Sequence, residues 1–395
     1  MTPADLIYLD HAATTPLDAR VWEAMQPYFL GEFGNASSRQ HALGKRAALA
    51  VEKARQQVAD LLGADPREIV FTSGATEANN LALKGIALSE AYAKQARHCI
   101  TGQSEHHAVL DPLASLEAQH DFRITRLPVD ERGQVNLEAL GSGLESGARL
   151  VSLMLANNEV GFLHPMQTIG ALCTQHGVLL HSDATQAVGK LAIDVKTLGA
   201  HSLSLSAHKF GGPKGIGALY LSRRRPRVRC RALLDGGGHE RGLRSGTLNV
   251  PGIVGLGAAA QVAGTGLEQE AARVGKLRDL LETELAAEIG GVQLNSFGPE
   301  RLPNIANLSF DGIEAESFLS RLERVAASSS SACTSASLQP SHVLRALGLD
   351  EQRIASSVRF SLGRSTTREE IQAALLDISR AVAAERKQGS RDLCS

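Results

Sequence analysis

The 395-residue chain has no pair of cysteines spaced as CxxC, and its five cysteines lie far apart, at positions 99, 173, 230, 333 and 394. An odd number of scattered cysteines argues against a small domain built on disulfides. The missing pairs leave a structural zinc site without its usual ligands. This use of cysteine favours a reducing compartment, so we expect a cytoplasmic protein.

An excess of charge of one sign is also missing. Lys and Arg total 41 and Asp and Glu total 42, for a formal net charge of −1. This balance gives no reason to expect nucleic acid or an anionic membrane as the main partner. The arginine-rich run at 223–229 is the local exception, and it is more typical of a solvated turn between strands. No apolar run reaches the length of a membrane span, and the first residues lack the pattern of a signal peptide.

Short apolar runs alternate with helical patterns along much of the chain. Residues 38–62 place alanines, leucines and valines at helical spacing, and residues 69–72 are typical of a buried strand. Later strands end in polar clusters at 104–107, 157–159 and 183–186. The pattern predicts an α/β fold with a mostly parallel sheet, whose ligand site lies at the carboxyl ends of the strands.

The length of the chain favours two domains, because single cores usually stop growing before this size. A long charged helical stretch at 264–290 is a plausible connection between them. We assign residues 16–263 to a large domain, and residues 1–15 and 264–395 to a smaller α+β domain.

The pairing of Lys209 with Asp183 is the most informative feature of the sequence. Pyridoxal phosphate (PLP) needs a lysine amine for its Schiff base and a carboxylate that keeps the pyridine nitrogen protonated. A lone lysine before Gly-Gly-Pro would be typical of a surface turn. With His208 beside it and Asp183 upstream at a strand end, Lys209 instead predicts a PLP site.

A phosphate seat is predicted where a buried strand turns into a helix at Gly74-Ala75-Thr76. Free backbone N–H groups and the helix dipole can bind phosphate there, and Thr76 adds a hydroxyl donor. Ser206 and His208 can complete the seat from the strand that carries the lysine. The motif is weak by itself, since many α/β turns contain glycine and threonine.

His106 and His107 follow another predicted strand. A histidine over the pyridine ring could stack on it and move protons. A hydrogen-bonded loop histidine is an equally good interpretation, and no neighbouring residues complete a metal site.

Two further residues suit substrate chemistry. Arg359 could bind a substrate carboxylate through its guanidinium fork, although a surface strand arginine is an equally good alternative. Cys333 lies in a run of small polar residues, as expected for a mobile loop carrying a thiol nucleophile. Cys99 and Cys173, in a predicted strand and helix, are interpreted as packing residues.

Taken together, these segments resemble the PLP-dependent cysteine desulfurases of the NifS/IscS type, within the class-V aminotransferases. The likeness runs from Ile7 to about Arg380. It is carried by residues 8–10, 13–16, 33–35, 71–77, 105–106, 157–159, 183–189, 206–217, 236–247, 331–337 and 359–363.

The resemblance implies the fold-type-I architecture of PLP enzymes and a homodimer with two sites at the subunit interface. It implies that Lys209 forms the Schiff base and that His106 stacks on the ring. Asp183 would face the pyridine nitrogen and Gln186 the phenolic oxygen.

The resemblance also assigns the remaining contacts. The phosphate would be bound by Ala75, Thr76, Ser206 and His208, with the partner subunit's Thr247. Asn158 would contact both cofactor and substrate, and it would hold the substrate carboxylate together with Arg359. Cys333 matches the nucleophilic cysteine of the family.

The implied reaction converts L-cysteine into L-alanine and leaves the sulfur on Cys333 as a persulfide. A sulfur-acceptor protein would then receive it for iron–sulfur cluster assembly or tRNA thiolation. Alternative functions are a selenocysteine lyase, a PLP aminotransferase in which Cys333 has no role, and a sulfur-relay or scaffold protein with a vestigial PLP site.

Overall fold

The computed structural model describes residues 6–225, 227–296, 298, 300–329 and 340–392, with side chains to residue 388. The strands in these residues are, in chain order, β1 (Ile7–Tyr8), β2 (Ile69–Thr72), β3 (His98–Gly102), β4 (Arg123–Leu127), β5 (Leu150–Ser152), β6 (Leu179–Asp183), β7 (Ser202–Ser206), β8 (Gly217–Leu221), β9 (Val292–Leu294), β10 (Ile305–Phe310), β11 (Val325–Ala326), β12 (Ser328–Ser329) and β13 (Ser357–Ser361).

The α-helices in the same residues are α1 (Ala19–Met25), α2 (Pro27–Leu30), α3 (Ala42–Leu62), α4 (Ala75–Ala87), α5 (His107–His120), α6 (Leu137–Glu145), α7 (Met166–Gln175), α8 (Val250–Gly264), α9 (Leu267–Glu288), α10 (Ala315–Arg321), α11 (His342–Ala346), α12 (Glu351–Ala355) and α13 (Arg368–Asp392).

The central sheet has the strand order β2-β8-β7-β6-β5-β3-β4. Strands β3 to β7 pair in parallel, and β8 pairs antiparallel with both of its neighbours. Buried side chains of α3, α6, α7 and α8 cover one face, and those of α4 and α5 cover the other. Because both faces are covered, every residue of its strands is buried except in the edge strand β4, and the serines of β7 are buried together with its leucines. The predicted α/β fold with a mostly parallel sheet is confirmed.

A second core forms around the antiparallel sheet β12-β13-β10-β9, against α9, α10 and α13. The N-terminal arm joins this core, since β1 pairs with β11 and both Ile7 and Leu9 are buried there. Leu302 and Ile305, by contrast, pack with the core of the central sheet. The domain boundaries assigned from the sequence stay a prediction.

Local signals set the ends of several helices. Helix α3 begins at Ala42 rather than near residue 38, because the His41 ring accepts a hydrogen bond from the Gly44 N–H and caps it. It ends at Gly63, whose φ of 64° is left-handed. In the capping box before α13, the Thr367 N–H donates to Glu370 and the Glu370 N–H donates to the Thr367 hydroxyl.

No single helix in the described residues is both long and apolar enough to cross a membrane. Helices α8 and α9 pass that test only as a pair, and they meet at an angle of 76°. The apolar residues of α8 are buried against the central sheet, which accounts for its composition.

Candidate active site

A cavity of about 600 Å³ lies at the carboxyl ends of β6 and β7. It collects residues from both cores, since Arg359 lies on β13 and Ser328 on β12, whereas Asp183 and Ser206 end strands of the central sheet. The residues predicted from the sequence that line it are Ala75, Thr76, His106, Asn158, Asp183, Gln186, Ser206, His208, Lys209 and Arg359.

Two predicted residues remain, Thr247 and Cys333. Thr247 is exposed and lies outside the lining. Cys333 lies outside the described residues, as does Cys394. The predicted roles of both stay predictions.

Asp183 ends β6, and its carboxylate is held on both oxygens. Oδ2 accepts a hydrogen bond of 2.7 Å from Asn79 Nδ2, and Oδ1 accepts one of 2.9 Å from the Thr185 N–H. These two hydrogen bonds fix the orientation of the Asp183 carboxylate, which lines the cavity. Asn79 is fully buried on α4, and nothing in its sequence context distinguished it from a packing residue.

Lys209 follows β7, and its amine reaches the N-terminal arm. Nζ donates to the main-chain oxygens of Ala12 and Ala13 at 2.6 and 2.8 Å. The Gln186 amide donates to the same Ala12 oxygen at 2.9 Å. The N-terminal arm, residues 7–16, therefore forms one wall of the site.

Lys190 is a second lysine beside the site that the sequence did not single out. Its amine donates to the main-chain oxygens of Gln186 and Lys209 at 2.9 and 3.2 Å. Burial, and then the charge of Lys209, lower the pKa of Lys190 to about 7. It therefore supports the main chain on which Gln186 and Lys209 are mounted.

The predicted phosphate seat is the start of α4. Gly74, the residue before this 13-residue helix, has no side chain that could cap it. The first N–H groups of the helix can therefore donate hydrogen bonds to an anion. A Cβ on Gly217 of β8 would lie 2.7 Å from the Gly74 Cα, so only glycine allows this approach. Lys214 also lines the cavity and supplies positive charge, which the sequence analysis missed.

His208 contacts the arm through a hydrogen bond of 3.1 Å between its Nδ1 and the Thr14 hydroxyl. Burial is the main cause that lowers the pKa of His208 to about 4, and the positive charges of Lys209, Lys214 and Lys190 add to it. A neutral ring is therefore expected at neutral pH.

The ambiguity between His106 and His107 is resolved by placement. His106 caps α5 by accepting from the Ala108 N–H at its Nδ1, at 3.0 Å, and it lines the cavity. Burial lowers the pKa of His106, which favours the neutral ring. Because Nδ1 accepts the hydrogen bond from Ala108, the ring hydrogen lies on Nε2. His107 instead contacts the His342 ring and Asp111.

Arg359 is only 3% exposed, so its interpretation as a surface strand arginine is wrong. Nη1 donates to the main-chain oxygen of Asn158 at 3.0 Å, and Nη2 donates to Asp10 Oδ1 at 2.8 Å. A buried guanidinium beside Asn158 suits recognition of a carboxylate.

The described cysteines are unsuited to nucleophilic chemistry. Burial raises the pKa of Cys99, Cys173 and Cys230 to about 12, so all three are protonated thiols near neutral pH. None of them lines the cavity. Cys173 packs against one face of the central sheet and Cys99 against the other, so both are packing residues, as predicted.

The residues present fit PLP. An amine, a fixed carboxylate and an anion-binding helix start face the same cavity, and these are the groups that a pyridine ring with an aldehyde and a phosphate requires. The Thr185 hydroxyl lines the cavity, is buried and has no hydrogen-bond partner among the described residues. Such an orphaned group is expected where a ligand belongs.

Comparison with known proteins agrees with this geometry. The Aminotransferase class-V family model matches residues 7–374. The chain is 52% identical over 365 residues to a protein from Anaeromyxobacter sp. (strain Fw109-5) named Cysteine desulfurase IscS, covering 92% of this chain and 89% of that one.

Two solved structures are also similar. A NifS-like protein matches with a TM-score of 0.88 and 38% identity, over 96% of this chain and 99% of that one. A structure titled SspA in complex with cysteine matches with a TM-score of 0.78 and 35% identity, over 91% of this chain and 99% of that one. The family model spans nearly all of the chain, and the cavity contains the groups that PLP requires. This protein therefore belongs to the class-V aminotransferases, and within them to the PLP-dependent cysteine desulfurases of the NifS/IscS type.

Proposed function

We propose that this protein converts L-cysteine into L-alanine and transfers the sulfur to Cys333 as a persulfide. The observation that carries the proposal is the single cavity that holds Lys209, Asp183, His106 and Arg359 together. When bound, PLP supplies an electron-accepting ring that makes the α-proton of an amino acid acidic. Every other part of the reaction falls to residues of the chain.

Each residue of the cavity has a task in holding the cofactor. The Lys209 amine would provide the covalent link, and Asp183 would pair with the pyridine nitrogen. Gln186 would donate to the phenolic oxygen, and His106 would cover the ring. The phosphate would be bound by Ala75, Thr76, Ser206 and His208, with the partner subunit's Thr247.

The substrate would be oriented by its carboxylate, bound to Arg359 and the Asn158 side chain. Once the substrate amine has displaced it from the covalent link, the Lys209 amine takes the α-proton and returns it to the α-carbon before L-alanine leaves. The Cys333 thiolate attacks the substrate sulfur, and the carbon–sulfur bond breaks with its electron pair left on carbon. That carbon takes a proton to give L-alanine, and the sulfur becomes the outer atom of the Cys333 persulfide.

The described residues on either side of Cys333 support its role. Ser328 lines the cavity. On the other side, the Ser341 hydroxyl donates to Glu159 at 2.5 Å, and the His342 ring contacts the main-chain oxygen of Glu105 at 2.9 Å. Glu105 and Glu159 are the neighbours of His106 and Asn158. Five residues of chain reach at most about 18 Å, so a thiol at position 333 is within range of the cavity.

The decisive experiment is the absorbance spectrum before and after L-cysteine, followed by the intact mass of the protein. We expect L-alanine in solution and one added sulfur, mapped to Cys333. Cys333→Ala should lose both persulfide and turnover, whereas Cys230→Ala is the matched control and should keep both. Undiminished alanine formation in Cys333→Ala would refute the role of Cys333 and, with it, the proposed reaction. Parallel assays with selenocysteine test the lyase alternative.

We also propose that the protein is a homodimer. Apolar side chains of α1, α2 and α3 and the loop between them stay exposed, with Leu30 at 83%, and the Trp22 and Phe29 rings lie 6.1 Å apart. A patch of this kind is typical of a surface that another subunit covers. Sedimentation should give a dimer that Leu30→Glu weakens and Leu376→Glu, on the exposed side of α13, does not.

The sulfur acceptor is proposed to be a protein of iron–sulfur cluster assembly or tRNA thiolation, and the compartment the cytoplasm. The first rests on the resemblance in sequence, and the second on the few, scattered cysteines of the chain. Transfer of radiolabelled sulfur from the loaded protein to purified candidate acceptors would test the first, and cell fractionation the second.

A further inference from the structure

The Arg359 guanidinium is held by two groups from distant parts of the chain. Nη1 donates to the Asn158 main-chain oxygen and Nη2 to the Asp10 carboxylate. The Arg359 side chain is 3% exposed and that of Asp10 is 17% exposed. Bonds on both terminal nitrogens fix the plane of the guanidinium, and hence the direction in which its remaining donors point.

Asp10 is itself fixed by the main chain of the N-terminal arm. Residue 10 forms a bridge with Ser361, two positions from Arg359 on the same strand. The Ser361 N–H donates to the Leu9 oxygen at 2.7 Å, and the His11 N–H donates to the Ser361 oxygen at 3.0 Å. The carboxylate therefore cannot move independently of the strand that carries the arginine.

The opposite support is equally rigid. The Asn157 side chain accepts from the N–H groups of Glu159 and Val160 at 2.8 and 2.9 Å, which closes the turn that presents the Asn158 oxygen. Arg359 is thus clamped between a turn of the central sheet and the arm of the second core. The positive charge of Arg359 also acts on Glu159 and Tyr8 and favours a lower pKa at each of them.

We propose that Asp10 is a positioning residue that orients Arg359 for the carboxylate of the amino-acid substrate. The inference rests on the proposed function, because it assumes that an amino acid occupies the cavity with its carboxylate at Arg359. A guanidinium oriented in advance loses less rotamer freedom on binding, so the contribution of Asp10 shows in affinity for ligands that carry a carboxylate. A ligand without that charge gains nothing from the orientation.

The test compares L-alanine with L-alaninamide, which has the same size but no carboxylate. Dissociation constants come from the change in absorbance of the PLP-loaded protein on titration. Asp10→Ala should raise the dissociation constant for L-alanine about ten-fold or more, the scale of one hydrogen bond to a charged group. The value for L-alaninamide should stay within about two-fold of the wild type.

Asp10→Asn keeps an oxygen acceptor at the same place, so its affinity for L-alanine should lie closer to the wild type than to Asp10→Ala. Asp279→Ala is the matched control, because it breaks an aspartate–arginine pair outside the cavity, at 2.6 Å from Arg278. It should change neither constant.

Two results would overturn the proposal. One is an equal loss for both ligands in Asp10→Ala, which would mean a general structural role. The other is unchanged or tighter binding of L-alanine, which would mean that Asp10 competes with the ligand. Failure of the wild type to release alanine from L-cysteine would instead refute the proposed function, and the comparison of the two ligands would still decide the role of Asp10.

Discussion

The buried ion pair between Arg55 and Glu240 offers a prediction whose size follows from its geometry. Glu240 accepts hydrogen bonds of 2.8 Å from Arg55 Nη1, Arg55 Nη2 and the Phe71 N–H. The side chains of Arg55 and Glu240 are 4% and 1% exposed. Glu240→Gln keeps the shape of the side chain but removes its negative charge. The new amide NH2 group would face three N–H donors, two from Arg55 and one from Phe71.

Breaking a buried pair from one side costs about 3–5 kcal/mol, because the other charge stays buried without its partner. Arg55 keeps an ion pair of 3.1 Å with Glu52, so we expect a loss near the lower end of that range. The substitution should also destabilise the conformation of the loop that carries Thr247. Glu240 and Arg241 have φ angles of 47° and 61°, which non-glycine residues hold at a cost of about 1–3 kcal/mol each when the surroundings enforce them. Without the carboxylate anchor, that conformation loses its support.

Urea unfolding of the apoprotein, followed by fluorescence, measures the effect. The single tryptophan, Trp22, lies on α1 against α8 and reports on the large sheet domain. Glu240→Gln, Arg55→Met and the double variant complete a cycle in which the double variant should lose less than the two singles added together. A single-variant loss below about 1 kcal/mol, or additive losses, would refute the assignment of a strongly coupled buried pair.

Three further predictions concern the cavity and the response to pH. Gly217→Ala should weaken PLP binding about ten-fold by pushing its Cβ into the Gly74 main chain, whereas Gly141→Ala, with nothing within 4 Å, should not, as measured by fluorescence titration with PLP. Burial raises the pKa of Glu159 from 4.5 to about 7, so the native state keeps a proton that the unfolded state releases, and stability falls as pH rises through this window. Glu159→Gln should remove that slope in denaturant midpoints, and an unchanged slope would contradict the assignment. Burial lowers the pKa of His164 from 6.5 to about 4, so its contribution to stability is lost as pH falls below 6.5, and His164→Leu should flatten this acid limb.

Prediction from sequence succeeded where the signal was local. The helical spacing that ends at residue 62 and the buried strand at 69–72 are patterns within a few residues, and the structure has both. Several cavity residues were found because they lie at or just after the ends of strands, and parallel strands bring their carboxyl ends to one edge. Asn158 and Gln186 were assigned only through the resemblance to a known family. A local pattern could not separate His106 from His107, since only the path of the chain after β3 decides which ring enters the cavity.

The missed residues share a different property. Asn79 lies 104 positions from Asp183, and Asp10 lies 349 positions from Arg359. Neither has a spacing or a neighbour that marks it as functional. Their importance arises only when the fold brings each beside a charged group that needs a partner.

The amino-acid sequence by itself determined the chemistry available to this protein: an amine, a carboxylate, an anion-binding turn and a thiol, each of a type and in a local context that PLP chemistry requires. Only the tertiary structure decided how those groups are supported. The supports of Asp183 and Arg359, and the main-chain oxygens that hold the Lys209 amine, come from segments far away in the chain. The reason is physical: a residue type is a local property, whereas the orientation of a buried charge depends on every donor and acceptor that the fold places around it.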